Sequence, residues 1–313
     1  MQNRQKFIPY ISVTCSSIIF GLSFLFSKRA LTLASPFELL SFRFLTAFCI
    51  MSILVITGII KINYKRKPII TLLFLGLCQP ILYFIFETYG IKYSTSSQAG
   101  LMIALIPVFV SILGAYFLKE IPSKKQIFCI MLSISGVILI ILMGNSEKVA
   151  ISVTGTIMLV FAVFCAASFN ILSRKLSNNF TPFEITYFMM GLGAVFFNII
   201  SLINKAASGN LHGYFVLLTN IDFIISIGYL GILSSLIAFF LVNYTLSKIS
   251  ASISSAFSNL STIVTVAAGV FFLNESFKYY HFVGAIMILF GVWGSSYFQN
   301  KSETGLEVIE LEE

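Results

Sequence analysis

Long apolar runs separated by short polar stretches fill most of the chain. Ten such runs can be drawn, at about 8–27, 36–60, 69–90, 95–117, 124–143, 152–173, 182–204, 221–245, 250–272 and 279–298. Each is near the roughly 20 residues that a helix needs to cross a bilayer core at 1.5 Å per residue. The weakest divisions are at 91–94 and 246–250, where Lys92 and Lys248 are the only charges. Pro36, Pro68 and Pro182 fall at run starts, where a missing N–H costs a helix nothing. Pro107 falls in the middle of the fourth run, where it predicts a freed carbonyl and a kink. The pattern predicts an all-α polytopic membrane protein with ten transmembrane helices.

The runs also repeat. Ser27-Lys28-Arg29 recurs as Ser173-Arg174-Lys175, and Ser35-Pro36-Phe37-Glu38 as Thr181-Pro182-Phe183-Glu184, both at an offset of 146. Phe117-Leu118-Lys119-Glu120 recurs as Phe272-Leu273-Asn274-Glu275, and Gly136-Val137 as Gly291-Val292, at an offset of 155. Leu75-Gly76 with Leu230-Gly231, Tyr89 with Tyr244 and Gly114 with Gly269 share that second offset. A nine-residue insertion near 205–215 accounts for the change. The expected organisation is a five-helix half over 1–149, a second over 150–298, and an acidic tail over 299–313. An odd number of spans per half starts the second copy from the opposite side, so a direct sequence repeat becomes an inverted structural one.

Composition agrees with a bilayer as solvent. Apolar residues are 58% of the chain and charged residues 10%, against soluble norms of roughly 45–50% and 25%. The net charge of +8 raises the question of nucleic acid. The cations sit in short loops between apolar runs, which is a topology signal and not a binding patch. With the N-terminus cytoplasmic, thirteen Lys and Arg fall inside and six outside, and Arg43 lies within the membrane. Both termini are therefore expected in the cytoplasm, with the protein in the plasma (inner) membrane. Cys15, Cys49, Cys78, Cys129 and Cys165 all lie in apolar runs without a CxxC or a Cys/His cluster, so they read as small buried thiols. The tail holds five of the twelve acids, among them Glu303 and Glu307, and reads as solvated.

At this point the chain resembles the EamA-type transporters of the drug/metabolite transporter superfamily. The likeness rests on Phe20-Gly21-Leu22-Ser23-Phe24, on the stretch from Ser35 to Arg43, on Pro107 with Leu118-Lys119-Glu120, and on Gly136-Val137-Ile138-Leu139. The Leu-x-Glu and Gly-Val elements then recur in the second half. The resemblance covers about residues 8–298 and implies ten spans, alternating access and, most often, export of amino acids, metabolites or amphipathic compounds. The halves differ where Arg43 aligns with Met189 and Pro107 with Thr262. Any role of Arg43 or Pro107 then belongs to one half, and an asymmetric site is expected.

Candidate chemistry lies inside the membrane. Arg43 is about seven residues into the second run, roughly 10 Å below the outer surface. A charge there must face the bundle or a wet cavity, or else snorkel. Glu87 lies near the outer end of the third run and is a candidate partner at the outer mouth of a solute path. Gln79, Tyr83 and Glu87 at i, i+4, i+8 share one helix face, and Ser255, Asn259, Thr262 and Thr265 mark a similar stripe on the ninth run. Asn170 and Asn243 add amides at interior depths. These groups suit either a polar solute or hydrogen bonds between helices. Glu120 and Glu275 read as caps or anchors of the helices that follow them.

The remaining motifs bear on energy source and rival functions. His212 and His281 lack partner clusters, so no metal site is expected. No GxxxxGK[ST], HExxH or GxSxG is present, and no cofactor is expected. The reading is a secondary transporter, not an enzyme, whose partners are a small-molecule solute and the lipid bilayer. Protons are a coupling option, nucleic acid is not a partner, and oligomeric state is left open. Export of an amino-acid-like or amphipathic metabolite is the expected activity. Import of a vitamin or nucleotide-like solute is the rival within the class, and a lipid-modifying membrane enzyme or a scaffold the rivals outside it.

Overall fold

The computed structural model describes residues 2–118, 123–144, 153–209, 212–249, 251–258, 260–275 and 278–310. Each of the ten apolar runs is mostly helical over its described residues, and no strand occurs among the described residues. The elements are α1 (Gln2–Ala30), α2 (Pro36–Ile56), α3 (Ile69–Lys92), α4 (Ser96–Phe117), α5 (Lys124–Gly144), α6 (Val153–Leu176), α7 (Pro182–Ala207), a short α8 (His212–Val216), α9 (Ile221–Lys248), α10 (Ala251–Ser258), α11 (Leu260–Leu273) and α12 (Tyr279–Glu310). Seven of these contain a stretch long and apolar enough to cross a membrane, namely α1, α2, α3, α4, α6, α7 and α9. Leu260–Leu273 and Tyr279–Gly291 are shorter apolar helices. The chain is thus an all-helical, multi-pass membrane protein. Helix α12 continues through Glu310 instead of ending near 298, because Lys, Glu and Leu in that stretch are good helix formers.

The surface is inverted relative to that of a soluble protein. Ile56, Phe271, Ile70 and Phe128 are exposed, while Ser16, Ser41, Thr186 and Asn243 are buried. Lipid tails are as apolar as Leu, so apolar side chains gain nothing by turning inward, and small residues and hydrogen bonds hold the helices together. Gly21 shows the first device. A Cβ there would sit 2.5 Å from Val264, which lets α1 lie against α11, and Thr265 Oγ1 donates to the Gly21 carbonyl at 3.0 Å.

Repeat-equivalent starts are built alike. Ser35 and Thr181 each cap a helix that begins with Pro, and each closes a capping box with Glu38 or Glu184. Antiparallel α2 and α7 pack along each other, and the two Glu are bridged at opposite ends of the pair. Lys205 Nζ reaches Glu38 Oε1 at 2.7 Å, and Lys67 Nζ reaches Glu184 Oε2 at 2.6 Å. Tyr64, in the loop before α3, donates to the Glu184 carbonyl at 2.8 Å. Burial, with Glu184 nearby, holds its phenol above the ordinary tyrosine range, so it remains a donor.

Glu275 does cap a helix, but not the one that follows it. Its carboxylate accepts the Ser96 and Ser97 backbone N–H groups at 2.6 and 2.9 Å and the Ser97 hydroxyl at 2.6 Å, at the start of α4. The first turn of α4 has orphan N–H donors, and the chain after α11 delivers an acid to them from the other half. Lys28 closes the same end by donating to the carbonyls of Ile91 and Ser94. Glu120 lies outside the described residues.

Candidate functional site

Three helices lose regularity next to the centre of the bundle. Helix α3 passes through a π-helical stretch at Leu77–Leu82, within which Gln79 is extended (φ −150°, ψ 117°). Helix α9 is π-helical over Tyr229–Ala238. At the 155-residue offset the first stretch falls inside the second, so both halves carry the irregularity at one repeat position. Helix α4 turns at Ala104–Leu105, just before Pro107, which places the break where the proline removes a donor. In the second half the corresponding position is Thr262, within α11. In a membrane, irregular backbone is tolerated where it is buried in protein or lines a wet cavity.

Such a cavity lies between these helices. It offers about 90 Å³ to the centres of water-sized molecules. At about 10–15 Å³ for one water by that measure, there is room for several waters or a small solute. The α1 wall supplies Ser16, Ser17, Phe20, Ser23 and Phe24. Arg43 comes from α2, and Gln79, Tyr83, Phe84 and Glu87 come from α3. Asn170 and Phe169 of α6, Phe239 of α9, and Ser254, Ser255 and Ser261 close the far side. The walls are mostly aromatic and aliphatic, with a few convergent polar groups, as small-molecule sites tend to be.

Arg43 is 2% exposed, and the groups in direct contact with its guanidinium are neutral. Its Nε and Nη2 donate to the Ser235 and Ser234 hydroxyls, both at 2.8 Å. Its guanidinium carbon lies 4.4 Å from the centre of the Phe84 ring, in cation–π range. Arg43 and Glu87 share the cavity wall but make no direct ion pair, since no nitrogen–oxygen distance between them is 4.0 Å or less. Glu87, 5% exposed, instead accepts the Tyr83 hydroxyl at 2.8 Å. It is the one acidic side chain on the cavity wall among the described residues.

The other candidates divide. Gln79, Tyr83, Asn170 and Ser255 line the cavity. Asn170 also donates to the Ala166 carbonyl at 2.8 Å. Asn243 and Thr262 are not on the cavity wall, and their polar atoms join helices. Asn243 accepts from Ser173 at 2.7 Å and donates to Thr186 at 2.9 Å, while Thr262 donates to the Gly100 carbonyl at 3.1 Å. Asn259 lies outside the described residues. Sequence reading did not pick out the serines of α1 or the Ser234-Ser235 pair. A run of Ser at 16, 17 and 23 in the first apolar segment was the available signal.

A multi-pass helical bundle with a small, partly polar cavity inside the membrane, ringed by broken helices, is the build of a solute transporter. The family comparison agrees: residues 7–142 and 153–297 match the EamA-like transporter family, and the chain belongs to that family. The chain is 40% identical over 296 residues to the uncharacterized transporter YcxC of Bacillus subtilis, covering 95% of each. It is 25% identical over 284 residues to a probable amino-acid metabolite efflux pump of Escherichia coli, covering 88% of this chain and 90% of that protein. One solved crystal structure shares the fold at a TM-score of 0.67 and 12% identity, covering 94% of this chain and 98% of the other.

Proposed function

We propose that this transporter exports a small zwitterionic, amino-acid-like solute by alternating access through the central cavity. The observation that carries the reading is a pair of opposite charges, Arg43 and Glu87, on one buried wall and not paired with each other. A carboxylate suits the planar fork of Arg43, and an ammonium suits Glu87. The aromatic walls accept an apolar side chain. The likeness to a protein described as an amino-acid metabolite efflux pump supports both the class of solute and the direction. In this reading ten helices span the plasma membrane as two inverted halves, with both termini in the cytoplasm.

Purified protein in liposomes, loaded with labelled amino acids, vitamins or nucleosides and tested with and without a pH gradient, checks the proposal. Efflux and counterflow of one or more free amino acids, absent from protein-free liposomes, is the expected result. Movement of nucleosides or vitamins without amino acids would overturn it.

A further inference from the structure

Gln79 stands apart from the other polar groups of the cavity. It lies in the irregular stretch of α3, where its extended backbone departs from the helix on either side. The side chain is 4% exposed and lines the cavity, and its Oε1 has no hydrogen-bond donor among the described residues. A buried amide oxygen without a donor is costly, and native proteins rarely keep one without a use.

The second half supplies an internal comparison. At the 155-residue offset Gln79 corresponds to Ser234, in the equivalent irregular stretch of α9. Ser234 Oγ accepts from Arg43 at 2.8 Å. The two repeats thus carry a side-chain acceptor at the same position of the irregular stretch, and of the two Gln79 lines the cavity. One is satisfied by a side chain of the protein and the other is not. The other buried side-chain atoms of this kind do not line the cavity: Ser96 Oγ and Ser201 Oγ lie elsewhere, and Glu38 Oε1 faces Lys205.

We propose that Gln79 recognises the solute by accepting a hydrogen bond from its amino group, so that the site takes N–H-bearing amines and discriminates against N-alkylated ones. This rests on the zwitterion reading above and assigns its amine end. An ammonium has three N–H donors, more than one carboxylate satisfies. Glu87, eight residues further along α3, supplies the charge, and Gln79 supplies a directional acceptor. Arg43 holds the carboxylate. A trimethylated amine keeps its charge for Glu87 but has nothing to donate to Gln79, which separates the two roles chemically.

The test compares labelled leucine, phenylalanine and threonine in liposomes, each in competition with its unlabelled parent or with its N,N,N-trimethyl derivative. The wild-type chain is expected to favour the free amine by about tenfold, the scale of one buried hydrogen bond. Gln79→Met removes the acceptor at similar volume and should abolish most of that preference. Gln79→Glu keeps an acceptor there and should retain it. In detergent without solute, Gln79→Met should melt no lower than the wild type, because no internal hydrogen bond at Oε1 is lost. A wild-type preference in Gln79→Met, equal loss of preference in Gln79→Glu, or a lower melting temperature of solute-free Gln79→Met would overturn the proposal. A wild-type chain that carries no free amino acid would remove the zwitterion reading itself, and this assignment with it.

Discussion

Arg43 concentrates the chemistry of the cavity in one side chain. Two hydroxyls and an aromatic face steady its guanidinium without neutralising it. A carboxylate in direct contact would have cancelled the charge, whereas serines leave it available to an anionic group. Arg43→Ala should therefore lower transport at least about tenfold at near-normal membrane abundance, and Arg43→Lys should restore only part, since an ammonium cannot form the bidentate fork. Initial rates normalised to protein in the membrane check this. Wild-type rates in Arg43→Ala would return the residue to a packing role. The serines are positioning residues, so the double change Ser234→Ala with Ser235→Ala should raise the half-saturating concentration more than it lowers the maximal rate. A lower maximal rate with an unchanged half-saturating concentration would indicate a folding defect instead.

At the level of elements, α2 and α7 are held at both ends, and each clamp joins the two halves. Lys67 and Glu184 are 23% and 4% exposed, and Lys205 and Glu38 are 24% and 9%. The lysines remain partly solvated while the carboxylates do not. Removing a lysine strands a buried acid whose other contacts are the capping box and, for Glu184, the Asn63 N–H at 2.8 Å. Lys67→Met and Lys205→Met should each cost ~1–3 kcal/mol, less than a fully buried pair because the Lys end is wet. Thermal denaturation in detergent would show this as a shift of a few degrees. A shift as large in Lys92→Met, whose residue joins neither clamp, would mean that general charge matters more than the clamps. A close helix contact makes a second test. Gly21→Leu should separate α1 from α11 and lower the melting temperature more than either lysine change, since Val264 and the Ser261 carbonyl already fill the space.

For the whole molecule, one repeat position should appear on opposite sides of the membrane. Ser123 and Lys278 are related by the 155-residue offset, at the starts of the fifth and tenth apolar runs. In a background with the five native Cys replaced, Ser123→Cys and Lys301→Cys should react with an impermeant maleimide only after permeabilisation. Lys278→Cys should react in intact cells. Labelling of both Ser123→Cys and Lys278→Cys from outside would rule out inverted halves. The contacts already join ends that the alternation puts on one side: Glu38 with Lys205, Glu184 with Lys67, and Glu275 with the start of α4.

Span positions, the two-part organisation and the Pro107 break could be read from the chain because each depends on local quantities. Run length, a missing N–H and a Ser/Thr-Pro-x-Glu start act within a few residues, and seven helices long and apolar enough to cross a membrane formed near the expected limits. Arg43 and Glu87 stood out because an intramembrane charge is costly wherever it points. Their relation was not legible: each found neutral partners, and only packing of α2 against α9 brings Ser234 and Ser235 to the guanidinium. Polar stripes were ambiguous for the same reason. Thr262 and Asn243 look like Gln79 in sequence, but the first two bond to other helices and the third does not. Glu275 found the start of α4, some 180 residues back in the chain, a pairing that no local rule contains. The sequence alone determined which segments enter the bilayer, since that depends on the free energy of transferring each segment separately. Tertiary structure decided which polar atoms remain open to a solute, because that depends on what every neighbouring helix has already satisfied.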